Sequence, residues 1–257
     1  FVKTFEKRIS TITKSKYALA VVNGTSALQL AIRTLNPKKG DEILVPTISF
    51  IASVNSIIYN NCSPVFMDVS DDYNIDINKL ENFLKKQTVS KNGVLKNKIT
   101  NKKILAVLAV SVWGNPISPK LKYLADKFKI KLIEDAAESF GSYYKKNNKK
   151  IHSGTLGVSG CLSFNGNKII TSGGGGALIT NNKKIYLKAR YLSEQAKDDK
   201  LKWVHNDIGY NFRISNLHAA LGLSQIDKLK RNIKKKKIIH NYLSKKIDKI
   251  NGFHIFK

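Results

Sequence analysis

Short apolar runs that alternate with helical patterns are the feature that most restricts the fold of this 257-residue chain. The clearest run, Ile104–Val112, is apolar at almost every position rather than at alternate ones. A strand with one face in water alternates, whereas a strand covered on both faces is continuously apolar. Further strands are predicted at Tyr17–Val22, Glu42–Val45, Pro64–Val69, Lys131–Glu134, Val158–Phe164 and Gly176–Thr180. The pattern therefore predicts an α/β fold with helices on both faces of a mostly parallel central sheet.

Helical patterns follow most of these runs and suggest a division of the chain. The predicted helices are Ala27–Leu35, Ser49–Tyr59, Ile77–Lys86 and Pro119–Lys129. The polar segment Ser90–Lys103 is predicted to be a surface loop or an insertion, and Ser215–Ile247 to be one long basic helix. Gly252–Phe256 would begin another strand. We therefore predict a large domain over 1–220, and a connecting helix with the start of a small domain over 221–257.

An excess of lysine gives the chain a formal net charge of +27, from 45 Lys and Arg against 18 Asp and Glu. Nucleic-acid binding is one explanation for such a charge. Few of the basic residues are arginine, which nucleic-acid readers use most, and the lysines form polar clusters such as 145–150 and 234–237. These observations favour a solvated surface, or attraction of an anionic small substrate, and leave specific nucleic-acid binding as an alternative.

The rest of the composition excludes several classes of protein. A hydrophobic content of 42% excludes a disordered chain. Cys62 and Cys161 are too few for a disulfide scaffold or a four-cysteine zinc site, and they predict a reducing compartment, the cytoplasm. No apolar run approaches the roughly 18–20 residues of a membrane-spanning helix. We expect no metal site and no insertion into a membrane.

Polar motifs follow the predicted strands, where parallel sheets bind their ligands. Gly24, Thr25 and Ser26 stand between a strand and a helix, where a glycine and free N–H groups suit a phosphate. An ordinary helix cap by Thr25 or Ser26 is the alternative. Lys168 lies in a polar turn and is followed by four consecutive glycines, 173–176. Close packing of the backbone around a planar ligand would explain this run of glycines. The alternative there is an exposed lysine in a flexible loop.

Two further motifs supply carboxylates and an aromatic ring. Asp135 and Glu138 end a predicted strand and are candidates to hold a cationic ring nitrogen, although Asp135 could instead cap a helix. Phe50 follows a strand and Pro46, and it could lie flat on a ring or belong to the core. A phosphate seat, a lysine, a carboxylate and an aromatic plate are together the parts of a pyridoxal phosphate (PLP) site.

Five stretches that follow one another along the chain resemble the DegT/DnrJ/EryC1/StrS family of PLP-dependent sugar aminotransferases. They are Asn23–Leu28, Pro46–Ser53, Glu134–Gly141, Ser163–Gly176 and Gly209–Gln225. The resemblance is to the branch that aminates C4 of UDP-linked 4-keto-6-deoxy sugars of the bacillosamine and legionaminic acid type. It implies a fold type I large domain, with the C-terminal small domain of the family largely absent from this chain.

The resemblance also implies roles for the residues around the ring of the cofactor. Lys168 would form the imine with PLP, and Asp135 would pair with the pyridinium nitrogen, so that both would be catalytic. Glu138 would lie near the ring hydroxyl. Phe50 would stack on the ring.

A second set of roles concerns the phosphate of PLP. Gly24, Thr25, Ser26 and Ser163 would bind this phosphate in their own subunit. Asn211 would reach the phosphate of the neighbouring subunit. The resemblance therefore implies a homodimer with a shared active site.

The implied activity is transfer of an amino group from an amino acid, by resemblance glutamate, to a nucleotide-linked keto sugar in surface-glycan biosynthesis. The partners of the protein would be the nucleotide sugar and the amino donor. One alternative is a PLP-fold protein that has lost catalysis and acts as a binding or regulatory protein.

Overall fold

The structure is a computed structural model that describes residues 1–146, 149–199, 201–253 and 255. The helices are α1 (Val2–Thr13), α2 (Gly24–Arg33), α3 (Ile51–Tyr59), α4 (Ile77–Lys86), α5 (Lys120–Lys127), α6 (Lys183–Ser193), α7 (Asn216–Ile226) and α8 (Leu229–Ile247). The strands are β1 (Tyr17–Val21), β2 (Glu42–Pro46), β3 (Ser63–Met67), β4 (Thr88–Lys91), β5 (Val94–Asn97), β6 (Ile104–Val110), β7 (Lys131–Asp135), β8 (Tyr143–Lys146), β9 (Lys149–His152), β10 (Ser159–Ser163), β11 (Gly176–Thr180), β12 (Lys197–Asp199) and β13 (Val204–His205).

Seven of the strands form one central sheet in the order β1-β11-β10-β7-β6-β2-β3. Strand β11 is antiparallel to both of its neighbours, and the pairs from β10 to β3 are all parallel. Every strand of this sheet except β11 therefore runs in one direction. Their carboxyl ends lie at the same edge, which is where ligands bind in such sheets. The predicted mostly parallel α/β sheet is confirmed.

Helices cover both faces of the sheet, as predicted. Leu19 and Val21 of β1 belong to a core cluster that includes side chains of α2, α3 and α6. Ala18 and Ala20, which alternate with them, belong to a second cluster with side chains of α1 and α7. A third cluster joins Leu44 of β2 to α4 and α5. Because successive residues of a strand point to opposite faces, continuous apolar runs are what this arrangement requires.

Helices α1 and α6 were not predicted from the sequence. Helix α1 buries Phe5 and Ile9, one helical turn apart, beneath the sheet. The Phe5 ring meets Phe164 edge-on, with centroids 5.2 Å apart. A Cβ on Gly222 of α7 would lie 2.7 Å from the same ring, so only a glycine permits this contact between α1 and α7.

Two predictions of local structure are wrong. The loop predicted over Ser90–Lys103 contains most of a hairpin, in which β4 pairs with β5. The single helix predicted over Ser215–Ile247 is two helices, α7 and α8. At the junction the Lys228 amide donates to the carbonyl of Gln225, three residues back instead of four, which interrupts the α-helical ladder.

Near the end of the chain, Gly252 and Phe253 are not in a strand, and positions 254 and 256 of the predicted strand Gly252–Phe256 lie outside the described residues. The lysine cluster 145–150 belongs to the β8–β9 hairpin, apart from positions 147 and 148, which are also outside them. The domain boundary at 220/221 falls within α7 and stays a prediction. In the described part of the chain, no helix is both long and apolar enough to cross a membrane.

Candidate active site

A cavity of about 540 Å³ lies at the carboxyl edge of the sheet. All but two of the predicted site residues line this cavity: Gly24, Thr25, Phe50, Asp135, Glu138, Ser163 and Lys168. They follow four parallel strands, β1, β2, β7 and β10, so the sheet brings together residues that are far apart in the sequence. The predictions from separate motifs thus converge on one site.

The N-terminus of α2 forms one end of the cavity. Asn23 caps this helix, because its side chain accepts a hydrogen bond of 2.8 Å from the Ser26 amide. The alternative cap by Thr25 or Ser26 is therefore wrong. The amides of Gly24 and Thr25 belong to the first helical turn, where no helical carbonyl is available to them. These amides and the Thr25 hydroxyl can receive an anion.

At the N-terminus of α2, neighbouring segments of the backbone can approach each other closely only because two of the residues are glycines. A Cβ on Gly24 would lie 3.0 Å from the Ser163 Cβ, and one on Gly176 would lie 2.5 Å from the backbone of Asn23. The run 173–176 does not line the cavity, so the predicted packing of these glycines around a planar ligand is wrong. Gly176 instead lets strand β11 pass directly beneath the N-terminus of α2.

Asp135 places a buried carboxylate at the end of β7, with only 4% of its surface exposed. Its Oδ2 accepts a hydrogen bond of 2.6 Å from the Ser53 hydroxyl, and its Oδ1 accepts one of 3.1 Å from the Ala137 amide. Burial raises the pKa of Asp135, and these hydrogen bonds together with the charge of Lys168 oppose the rise. A desolvated carboxylate that faces a cavity favours a cationic partner.

Lys168 also lines the cavity, and its side chain is largely covered. Its Nζ forms an ion pair of 3.1 Å with Glu138 Oε1. The second oxygen of Glu138 accepts a hydrogen bond of 3.0 Å from the Trp113 amide. Glu138 therefore links Lys168 to the turn after β6, and the alternative of a freely exposed lysine in a flexible loop is not what the structure shows.

Phe50 caps α3 with its backbone, and 77% of its surface is exposed. It lines the cavity, so the alternative of a core phenylalanine is wrong. An aromatic side chain that stays exposed beside a cavity is available to stack on a planar ligand.

Two predicted residues do not line the cavity. Ser26 is buried within α2, where its amide bonds to Asn23. Asn211 is exposed and forms an isolated β-bridge with Glu194. Its predicted reach into a neighbouring subunit stays a prediction.

Three residues around the site were not singled out from the sequence. Ser53 holds Asp135, which is 82 positions away along the chain. Trp113 lines the cavity with 66% of its surface exposed and a backbone φ of 52°. Asn74 accepts a hydrogen bond from the Val112 amide and so holds the turn that carries Trp113. The one feature of the sequence that could have indicated these residues is a tryptophan beside a glycine at the end of a buried strand.

The residues present fit PLP. The cavity is bordered by a helix N-terminus that can bind an anion and that has no room for a Cβ at its glycine. A buried carboxylate, a covered lysine and an exposed aromatic ring also line it. These are the donor, acceptor and stacking groups that the phosphate, the ring nitrogen, the aldehyde and the ring face of PLP require. No group of three or more metal-binding side chains occurs among the described residues.

Known proteins resemble this chain over nearly all of its length. It is 34% identical over 256 residues to GDP-perosamine synthase of Escherichia coli O157:H7, covering 99% of this chain and 65% of that protein. It is 31% identical over 259 residues to the UDP-4-amino-4,6-dideoxy-N-acetyl-beta-L-altrosamine transaminase of Campylobacter jejuni, covering 100% of this chain and 64% of that protein. The chain thus spans just under two thirds of the length of these relatives.

The solved structure of Helicobacter pylori PseC, an aminotransferase involved in the biosynthesis of pseudoaminic acid, superposes with a TM-score of 0.73 at 26% identity. The match covers 89% of this chain and 57% of PseC. The model of the DegT/DnrJ/EryC1/StrS aminotransferase family matches residues 1–257. The chain therefore belongs to this family, whose fold is the fold type I of the PLP-dependent aminotransferases.

Proposed function

We propose that the protein is a PLP-dependent aminotransferase that moves an amino group from an amino acid to a nucleotide-linked keto sugar. The observation that carries the proposal is that Lys168, the buried Asp135 and the N-terminus of α2 line one cavity. Bound PLP supplies an acceptor for the electrons that are released when the donor's α-carbon loses its proton. The side chains of this chain account for the remaining requirements.

Asp135 keeps the proton on the ring nitrogen. Its carboxylate is held by Ser53 and by the Ala137 amide, so that it cannot turn away from the cavity. A buried carboxylate with few hydrogen bonds gains most from a positive charge next to it, because no water competes. The cation-holding role proposed for Asp135 thus follows from its burial.

Lys168 has two tasks in the proposal. It holds the cofactor in the resting enzyme, and it then moves a proton to and from the donor's α-carbon as a general base and acid. Glu138 accepts a hydrogen bond from the Lys168 ammonium and so fixes its direction. Phe50 covers a face of the ring, while Gly24, Thr25 and Ser163 form the phosphate-binding end.

The substrate proposal is C4 of a UDP-linked 4-keto-6-deoxy-N-acetylhexosamine, with glutamate as the donor, in surface-glycan biosynthesis. The similarity to a UDP-sugar transaminase supports the uridine nucleotide. The similarity to GDP-perosamine synthase makes a GDP-linked sugar the second candidate. Amine transfer to each class of keto sugar discriminates between them.

We further propose a cytoplasmic homodimer in which Asn211 serves the partner's phosphate site. Large apolar side chains are exposed close to Asn211 in the sequence, among them Trp203, Ile208 and Leu217. Large exposed apolar side chains are stabilised when a second chain covers them, which supports the proposed dimer. Both cysteines are buried free thiols, in agreement with a reducing compartment.

The test is the visible absorption of the purified protein with PLP, before and after borohydride reduction, followed by mapping of the labelled peptide. We expect the label on Lys168 and a loss of amine transfer of at least a thousandfold in Lys168→Ala, because the general base is gone. The control Lys184→Ala changes an exposed lysine on α6 and should retain the wild-type rate.

Two outcomes would contradict the proposal. A label on another lysine would remove Lys168 from its role. A folded protein that takes up no PLP would favour the alternative of a family member without catalysis, acting as a binding protein.

A further inference from the structure

A second cavity, of about 760 Å³, adjoins the cofactor cavity. Trp113, Glu138, Asn167 and Lys168 line both cavities, so the two spaces meet at the reacting lysine. We call the second space the basic cleft, because Lys145, Lys150, Lys236 and Lys237 line it. Its volume lies within the range of pockets that hold molecules larger than an amino acid.

The lysines of the basic cleft come from two separate elements. Lys145 and Lys150 are directly opposite in the β8–β9 hairpin, so their side chains lie on the same face of this ribbon. Lys236 and Lys237 are on α8, one turn beyond Asn232 and Ile233. The cleft is therefore a space between a hairpin and a helix that both present cations to it.

Two contacts fix α8 relative to the rest of the site. The Asn232 side chain donates a hydrogen bond of 3.0 Å to the Ile169 carbonyl, next to Lys168 in the chain. Gly141, at the base of the hairpin, has a φ of +87°, and a Cβ there would lie 2.8 Å from Ile233 Cδ1. The hairpin and the helix are thus packed closely at the base, and the spacing of the lysines is set by these contacts.

The charge of the basic cleft is not balanced within the described residues. The acidic side chain that lines it is Glu138, which is already paired with Lys168. In the part of the chain that the structure describes, none of the four cleft lysines lies within ion-pairing distance of a carboxylate. Like charges directly across a hairpin destabilise it. An anion held between the two elements would relieve that repulsion.

We propose that the basic cleft holds the diphosphate of the nucleotide-sugar substrate, which rests on the proposed function. The keto carbon has to reach Lys168, and in a nucleotide sugar the diphosphate is separated from that carbon only by the sugar ring. A diphosphate that follows the cavity outward from Lys168 arrives between Lys145 and Lys150 on one side and Lys236 and Lys237 on the other. The ammonium group of lysine is a compact positive charge, and it binds phosphate groups well.

Other lysines among the described residues also form no ion pair with a carboxylate, so the lack of such a pair does not by itself distinguish the basic cleft. The distinguishing features are that these four line one concave space and that this space opens onto the reacting lysine. A concave arrangement of one sign of charge raises the local concentration of the opposite ion more than a flat surface does.

The test is calorimetric titration of UDP, and separately of GDP, into the PLP-loaded protein. The variants are Lys145→Gln/Lys150→Gln and Lys236→Gln/Lys237→Gln. The matched control, Lys183→Gln/Lys184→Gln at the start of α6, removes the same charge from a surface away from the cleft. We expect about a tenfold weaker affinity in each cleft variant and less than a twofold change in the control. Far-UV circular dichroism verifies that the variants are folded.

The outcomes separate this proposal from the proposed function. The spectral change of the wild type with glutamate alone tests amine transfer without any nucleotide. If that change occurs while neither UDP nor GDP binds, or while the cleft variants bind them as the wild type does, the cleft proposal is overturned and the proposed function stands. It is also overturned if the cleft variants weaken the response to glutamate but not nucleotide binding, because the cleft would then serve the donor.

Discussion

Burial of His152 at the end of β9 predicts that the contribution of this residue to the stability of the fold falls in mild acid. Only 2% of this residue is exposed, and its ring packs against Phe140 and Tyr143, with centroids 5.6 and 5.1 Å away. Nε2 accepts a hydrogen bond of 2.9 Å from the Gly141 amide, and Nδ1 bonds to the Ser153 carbonyl. The neutral ring satisfies both contacts, whereas a protonated ring would set two N–H groups against each other. Burial lowers the pKa of His152 from 6.5 to about 4.

The sign of the effect of pH on stability follows from the proton that the unfolded chain takes up at this histidine. Between pH 6.5 and about 4 the unfolded chain binds a proton at this position and the folded chain does not. The free energy of unfolding therefore falls as the pH falls through this window. The full shift corresponds to about 3 kcal/mol, of which about 2 kcal/mol is already lost at pH 5. Burial raises the pKa of Glu134 to about 7. This shift has the opposite effect on the free energy of unfolding, because below about pH 7 the folded chain holds the extra proton at this position.

A variant isolates the contribution of His152 from that of Glu134. In His152→Gln the amide oxygen can still accept from Gly141, but the ring contacts are lost, so we expect a destabilisation of about 2 kcal/mol at pH 7.5. Urea unfolding at pH 7.5 and 5.0 gives the difference between wild type and variant at each pH. We expect this difference to shrink by about 2 kcal/mol at pH 5, because only the wild type has to exclude a proton.

Equal differences at the two pH values would refute this reasoning and would mean that the ring accepts a proton without leaving its site. The control is His240→Gln on the exposed surface of α8, for which the difference from wild type should be small at both pH values.

Two other substitutions test the cofactor site. In Gly24→Ala the added Cβ would lie 3.0 Å from the Ser163 Cβ and displace the start of α2, so we expect PLP to bind at least tenfold more weakly in a spectrophotometric titration. In Ser53→Ala the carboxylate of Asp135 loses its 2.6 Å hydrogen bond, so we expect about a tenfold slower amine transfer in a steady-state assay. Ser56→Ala, whose hydroxyl bonds only to backbone, is the control for Ser53→Ala and should leave the rate nearly unchanged.

The parallel sheet could be predicted because its strands are buried on both faces. A continuous apolar run such as that of β6 is a direct consequence of this burial, and all seven residues of this strand are buried. Helix α1 lacks such a signal, because only Phe5, Ile9 and Thr13 are buried among its twelve residues. The contacts that stabilise this helix are made with β1, with Phe164 and with α7, and the last two are more than 140 positions away in the sequence.

The groups proposed to perform chemistry could be found in the sequence where a residue type is unusual in its local setting. Asp135 ends a strand, Lys168 and Phe50 each follow one, and the structure brings all three to one cavity. Ser53 could not be found in this way, because a serine in the first turn of a helix is common and its partner Asp135 is distant in the sequence. The alternative cap of α2 by Thr25 or Ser26 named the wrong residues, because Asn23 and these two hydroxyl-bearing neighbours are all good caps.

The arrangement of charge along the site follows from where the strands end. Asp135 is buried at the end of a central strand, where no water screens it, and it favours a cation. The basic cleft lies farther out, beyond the ion pair of Lys168 with Glu138, and it favours an anion. A planar cofactor with a cationic nitrogen would then occupy the inner part, and a substrate with an anionic tail would extend outward from the reacting lysine. In the proposed function this order would place the keto carbon at the junction of the two cavities, and the inner carboxylate and the outer lysines would then act on opposite ends of the bound cofactor and substrate.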